Sequence, residues 1–121
     1  MAKVTGLGGI FTKVADPAAT RAWYLKMLGV GGEWGAMFSF KDDAPDGFAL
    51  LTPFAADSDK FAPSMQPFMI NLRVDDLDSM VAELEAKGVA ILDRQSDDYG
   101  KFAWIMDPDG IKLELYQQAA G

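Results

Sequence analysis

Hydrophobic and polar residues alternate in two short segments, 9–16 and 69–76, which match one another at a displacement of 60 positions. Ile10, Thr12, Val14 and Asp16 fall on Ile70, Leu72, Val74 and Asp76. Alternation with period two predicts a strand with one buried face. The Asp that closes each segment is a favoured helix N-cap. Pro17 then suits the first helical position of a helix that runs through 18–28 and stops at Gly29. After Asp76, Leu77, Met80, Val81 and Leu84 share one helical face, and Gly88 is the stop. An internal repeat of this kind sets the organisation of the whole chain.

Shorter β-like pieces follow each strand–helix pair. In the first half they cover 35–40 and 48–53, separated by the turn residues Asp42, Asp43, Pro45, Asp46 and Gly47, with a glycine-weakened strand pattern at 30–34. In the second half they cover 89–92, 101–106 and 111–116. Asp107-Pro108-Asp109-Gly110 supplies the fixed and positive φ angles of a tight reversal between the last two. The pattern is βαβββ twice: one module at about 7–53, a connecting loop at 54–66, and a second module at about 67–117. The expected fold class is α+β, a mixed and strongly twisted sheet with helices on one face.

The helix-facing set is Ile10, Thr12, Val14, Ile70, Leu72, Val74, Leu113 and Leu115, nearly all apolar as a packed face requires. With a reversal confined to 107–110, Trp104 shares the parity of Leu113 and joins that face. Trp23 and Tyr24 read as core. The alternate face mixes Phe11, Lys13, Met69, Asn71, Arg73, Lys112, Glu114 and Tyr116. It reads either as solvent surface or as the wall of a polar-tipped pocket.

Composition narrows the chemistry. The 121 residues are enough for one domain and contain no Cys and no His. Disulfides, thiolate nucleophiles and Cys-ligated metals are therefore excluded, and so is the side chain best suited to proton transfer near neutral pH. Eleven basic against 18 acidic residues give a formal charge of −7, which argues against nucleic-acid and anionic-membrane partners. No apolar run approaches the roughly 20 residues that span a bilayer, and the start lacks the apolar core of a signal peptide. A cytoplasmic protein is the expectation. The Asp-rich runs at 57–59 and 75–78 lack calcium-loop spacing, and the glycines at 29–32 follow a helix instead of opening one on a phosphate.

The repeat, the Trp23-Tyr24-x-x-x-Leu28-Gly29 helix end and the Asp107-Pro-Asp-Gly-x-x-x-Glu114-Leu115 ending together resemble the vicinal oxygen chelate superfamily. Its members include glyoxalase I, extradiol dioxygenases and bleomycin-resistance proteins. The resemblance spans about Leu7 to Tyr116. It implies two βαβββ modules curled around one cleft, and a homodimer in which both chains complete each site. Metal-dependent members ligate a divalent cation from four cleft positions, which fall here on Gly9, Leu51, Met69 and Glu114. Only Glu114 keeps a hard donor, so no metal and no cofactor are expected.

Without that metal, the mixed face offers Lys13, Asn71 and Arg73 as donors to a carboxylate or carbonyl, with Phe11, Leu51 and Met69 as an apolar wall. Glu114 is read either as a strand carboxylate paired with Lys112 or Arg73, or as a cleft carboxylate that orients a ligand or takes a proton. Three functions follow, of which the last is a catalytically silent module serving assembly or regulation; the other two use this face. One is metal-independent binding of a small oxygen-rich or anionic molecule. The other is a glyoxalase-like lyase or isomerase with Glu114 as its base.

Overall fold

The computed structural model describes residues 9–33 and 35–120. Positions 7–8 of the expected first module, and Trp34 at the end of the weak strand pattern, lie outside the described residues.

Both helices begin at their predicted caps. Asp16 accepts from the Ala19 amide at 3.1 Å and α1 spans Pro17–Leu28. Asp76 accepts from the Ser79 amide at 3.1 Å and α2 spans Leu77–Ala86. These bonds satisfy N–H groups that the first helical turn leaves without partners. Gly29 ends α1 at φ 70°, the left-handed cap that glycine adopts without a Cβ clash.

The second half folds as expected in order. Strand β1 (Ile70–Arg73) leads into α2, followed by β2 (Asp93–Asp97), β3 (Gly100–Met106) and β4 (Lys112–Gln118). The four strands lie in the order β1-β4-β3-β2, with β1 parallel to β4 and the other neighbours antiparallel. The sheet is mixed and open, and the class is α+β. One difference concerns β2, expected at 89–92 and found at Asp93–Asp97. Val89 and Ile91 pack against the core instead. The tight turn after Asp97 fixes the ladder with β3, so pairing and not hydrophobicity defines this exposed edge strand.

One face of the sheet is covered. Leu77, Val81 and Leu84 of α2 pack on Ala103, Ile105, Leu113 and Leu115, all buried. Ile70, Leu72 and Val74 extend this layer as predicted, and Trp23, Tyr24, Met27 and Leu28 of α1 pack against it. Two further bonds tie α1 to the β3–β4 loop: Tyr24 Oη donates to Asp107 Oδ2 at 2.7 Å, and Thr20 Oγ1 donates to Asp109 Oδ2 at 2.6 Å. Among the described residues no helix is long and apolar enough to cross a membrane.

The first half keeps its helix but differs in its strands. Among the described residues, segments 9–14, 35–40 and 48–53 join no ladder, and Phe40–Asp42 forms a single 3-10 turn. Ile10, Phe11, Phe38, Leu50 and Leu51 are exposed. Alternation states which face a strand would bury, but a strand forms only where a neighbour supplies hydrogen bonds and a surface to bury against. In the second half the neighbouring strands supply the hydrogen bonds and α2 supplies the surface.

Candidate functional site

The register of β3 and β4 builds the uncovered face of the sheet. Met106 pairs with Lys112, so the connecting loop is 107–111, one residue longer than the reversal expected at 107–110. Asp107 closes this loop by accepting from the amides of Asp109 and Ile111 at 2.8 and 2.9 Å. The extra residue inverts the side-chain parity of β3 relative to β4. Trp104 therefore lies opposite Glu114 on the uncovered face, and Ile105 takes the core place beside Leu113. The expectation that Trp104 shares the core face is corrected.

Asn71, Glu114 and Trp104 form one row across three strands. Asn71 Nδ2 donates to Glu114 Oε1 at 2.7 Å and Trp104 Nε1 donates to Oε2 at 2.9 Å. Each carboxylate oxygen thus holds one donor. Beside this row the rings of Trp104 and Phe102 stack at 6.0 Å, and those of Phe102 and Tyr116 at 4.9 Å. Lys112 Nζ lies 5.8 Å from the Trp104 ring centroid, within cation–π range. The same ammonium donates to the carbonyls of Lys60 and Ala62, and Ser64 Oγ donates to the Gly110 carbonyl. These bonds pin the connecting segment 54–66 at this end of the sheet as a packing arm.

Arg73 stands opposite Tyr116 at the other end of β1. Its Nε donates to Asp43 Oδ1 at 3.2 Å, its Nη2 to Asp43 Oδ2, and its Nη1 to the Phe48 carbonyl. The fork matches the carboxylate at both oxygens. The Arg73 guanidinium holds the Asp43 carboxyl below the usual carboxylate range. Arg73 therefore pairs with Asp43 and not with Glu114.

Of the residues predicted from sequence, Asn71, Arg73 and Glu114 are brought to one face, and Met69 precedes β1, half-buried. Phe11, Lys13 and Leu51 lie on exposed segments outside the sheet. Sequence reasoning missed Asp43 as the partner of Arg73, and it placed Trp104 on the wrong face. The loop length around Ile111, which is buried, was the signal for Trp104. The four positions aligned with metal ligands do not fit a divalent cation. Gly9 has no donor, Leu51 is apolar and exposed, and Glu114 is engaged by Asn71 and Trp104. The Met69 thioether is a soft ligand, poorly matched to hard cations. Among the described residues no three Asp, Glu, His or Cys side chains converge to hold a metal.

Known proteins agree with this architecture. A protein of Escherichia coli (strain K12), YaeR, is 32% identical over 114 residues, covering 85% of this chain and 88% of its own. The crystal structure of TnmS3, an antibiotic binding protein from Streptomyces sp. CB03234, is 25% identical. It superposes with a TM-score of 0.62 over 98% of this chain and 100% of its own. A structure from the mobile metagenome of V. Pseudocholerae shares the fold at 20% identity, with a TM-score of 0.60 over 99% of both chains. Residues 7–115 match the Glyoxalase/Bleomycin resistance protein/Dioxygenase superfamily, and with these relatives on either side the chain belongs to that superfamily.

Proposed function

We propose that the chain binds a small oxygen-rich or anionic molecule at the Arg73 end of the uncovered sheet face, without a metal. The observation that carries this reading is the seat on Arg73: its fork already receives a carboxylate, that of Asp43, beside the Tyr116–Phe102–Trp104 stack. An anionic ligand group would take the same two N–H bonds, and its apolar part would lie against aromatic rings. The description of TnmS3 as an antibiotic binding protein supports binding as the use of this fold. The alternative, a glyoxalase-like lyase or isomerase with Glu114 as base, is disfavoured because both Glu114 oxygens already hold N–H donors.

The binding unit is proposed to be a cytoplasmic homodimer of two-module chains. The exposed Phe11, Met37, Phe40 and Leu51 support an apolar surface that a second copy covers. Sedimentation should give twice the chain mass, and a monomer at micromolar concentration would remove the dimer from the proposal.

A thermal-shift ligand screen on wild type and Arg73→Ala tests the binding reading. An anionic ligand should lose roughly 1.5–3 kcal/mol of affinity in the variant, and Arg73→Lys should recover only part of it because the planar fork is gone. Equal shifts in wild type and Arg73→Ala would overturn the site.

A further inference from the structure

A concavity opens at the free edge of β1, away from the Glu114 row. Leu28 at the end of α1, Val30 beyond it, Leu72, Val74, Met80 and Leu115 wall a cavity of about 530 Å³. That volume suits a small organic ligand. Asp42, Asp43, Asp75 and Gln117 also line it, and two further polar side chains in its wall are peculiar.

The first is Arg73, which also lines the cavity and whose guanidinium is filled by Asp43. Asp43 sits in a short acidic turn, with Asp42 and Asp46 as neighbours, whose hold on the sheet runs through this pair, the Phe48 carbonyl bond and Gln118. The second is Gln118. Its Nε2 donates to Asp46 at 3.4 Å, while its Oε1 is buried with no partner among the described residues. A desolvated acceptor without a donor is costly, so a hydroxyl or a bound water at this wall would relieve it.

From the cavity and the occupied fork we infer that this concavity binds a small apolar carboxylic acid. Its carboxylate replaces Asp43 on Arg73, and its hydrocarbon part covers Leu72, Val74 and Met80. The inference rests on the anionic-ligand reading above and specifies both the ligand class and the side of β1 on which the ligand lies. Asp43 is then an internal competitor. Because it is tethered, it faces Arg73 at a high effective concentration, which only an acid with enough apolar surface overcomes. Acetate lacks that surface, and an apolar alcohol lacks the charge.

Calorimetric titration of octanoate, acetate and octanol into wild type, Asp43→Asn, Arg73→Gln and Val30→Glu tests this, with circular dichroism to check folding. Octanoate should bind wild type and bind Asp43→Asn more tightly. It should weaken by at least about tenfold in Arg73→Gln, where the charge-assisted contact is lost. A similar loss is expected in Val30→Glu, which sets a like charge in the cavity wall, while acetate and octanol bind far more weakly throughout. If Val30→Glu does not fold, Val30→Trp fills the same space without charge and should also block octanoate. Binding that needs Arg73 but ignores both Val30 variants would put the acid along the aromatic stack, overturning the cavity while the anionic reading stands. Binding indifferent to Arg73 would overturn both. Absence of octanoate binding in wild type and Asp43→Asn alike would overturn the cavity, and the Arg73-dependent ligand screen would then decide the anionic reading alone.

Discussion

The hydroxyl of Tyr24 donates to Asp107 Oδ2 at 2.7 Å, joining α1 to a loop 83 positions away. Asp107 is only 6% exposed and also accepts from the amides of Asp109 and Ile111. A buried carboxylate needs such donors, and among the described residues Tyr24 is the one that comes from outside the loop. Tyr24→Phe should therefore destabilise the protein by about 1.5–3 kcal/mol in denaturant unfolding, the span for hydrogen bonds to charged groups. An unchanged midpoint would show that α1 docks through its apolar side chains alone.

The same residue makes an alkaline prediction. Burial first, and then the bond to Asp107, push the Tyr24 hydroxyl far above its usual range. Its folded-state value is raised, so its contribution is fully present below the unfolded value near 10 and is lost as pH rises beyond it. The stability difference between wild type and Tyr24→Phe should shrink above about pH 10. A difference that stays constant to higher pH would mean that the hydroxyl is not desolvated.

On the acid side the sign reverses. The Arg73 bond holds Asp43 down, the Ser79 amide does so for Asp76, and Lys101 with Arg94 does so for Asp78. Each contributes stability above the unfolded value near 3.9, which is lost as pH falls through the lowered folded value. Thermal melts should stay level in mildly acidic buffer and drop below about pH 4. Replacing Asp43, Asp76 and Asp78 together by Asn should flatten that drop, and an unchanged acid limb would assign it to other carboxylates.

Local chemistry made the helices legible in the sequence. Asp16 and Asp76 cap through amides three residues away, and Gly29 stops α1 by its own backbone freedom, so the elements needed no tertiary information. The alternation of Ile70, Leu72 and Val74 likewise named the core side of β1 correctly. Trp104 was not legible in the same way. Its face depends on whether the β3–β4 loop includes Ile111, and one residue there reverses every side chain of the strand. The Arg73–Asp43 pair spans 30 positions and joins a strand to a turn, a distance over which neither periodicity nor spacing carries information. Phe11, Lys13 and Leu51 mark the opposite failure, because their pattern was strand-like but no ladder gathers them among the described residues.

Trp104 gives a prediction of its own. Trp104→Phe keeps an aromatic ring beside Phe102 but removes the donor to Glu114 Oε2. The loss should be about 0.5–1.5 kcal/mol of stability. A double-mutant cycle with Glu114→Gln should return a coupling of at least about 0.5 kcal/mol, as expected for side chains in direct contact. Zero coupling would mean that Glu114 is held by Asn71 alone, and the Trp104 face would count only for its stacking.

Elemental analysis tests the metal question. The resemblance implies four donors for a divalent cation, whereas this chain has Gly9, Leu51, Met69 and Glu114 at those positions. A cation there would keep water over nearly its whole coordination shell, so the protein would return little of the energy lost on dehydration. It would also have to take Glu114 from Asn71 Nδ2 and Trp104 Nε1, leaving two N–H groups without their acceptor. Both effects point the same way. After dialysis the protein should carry far less than one nickel, zinc, iron or manganese ion per chain, and added metal should leave its melting temperature unchanged. About one ion per chain, lost on Glu114→Gln, would show that the carboxylate has kept a metal-binding role and would return the lyase or isomerase reading to first place.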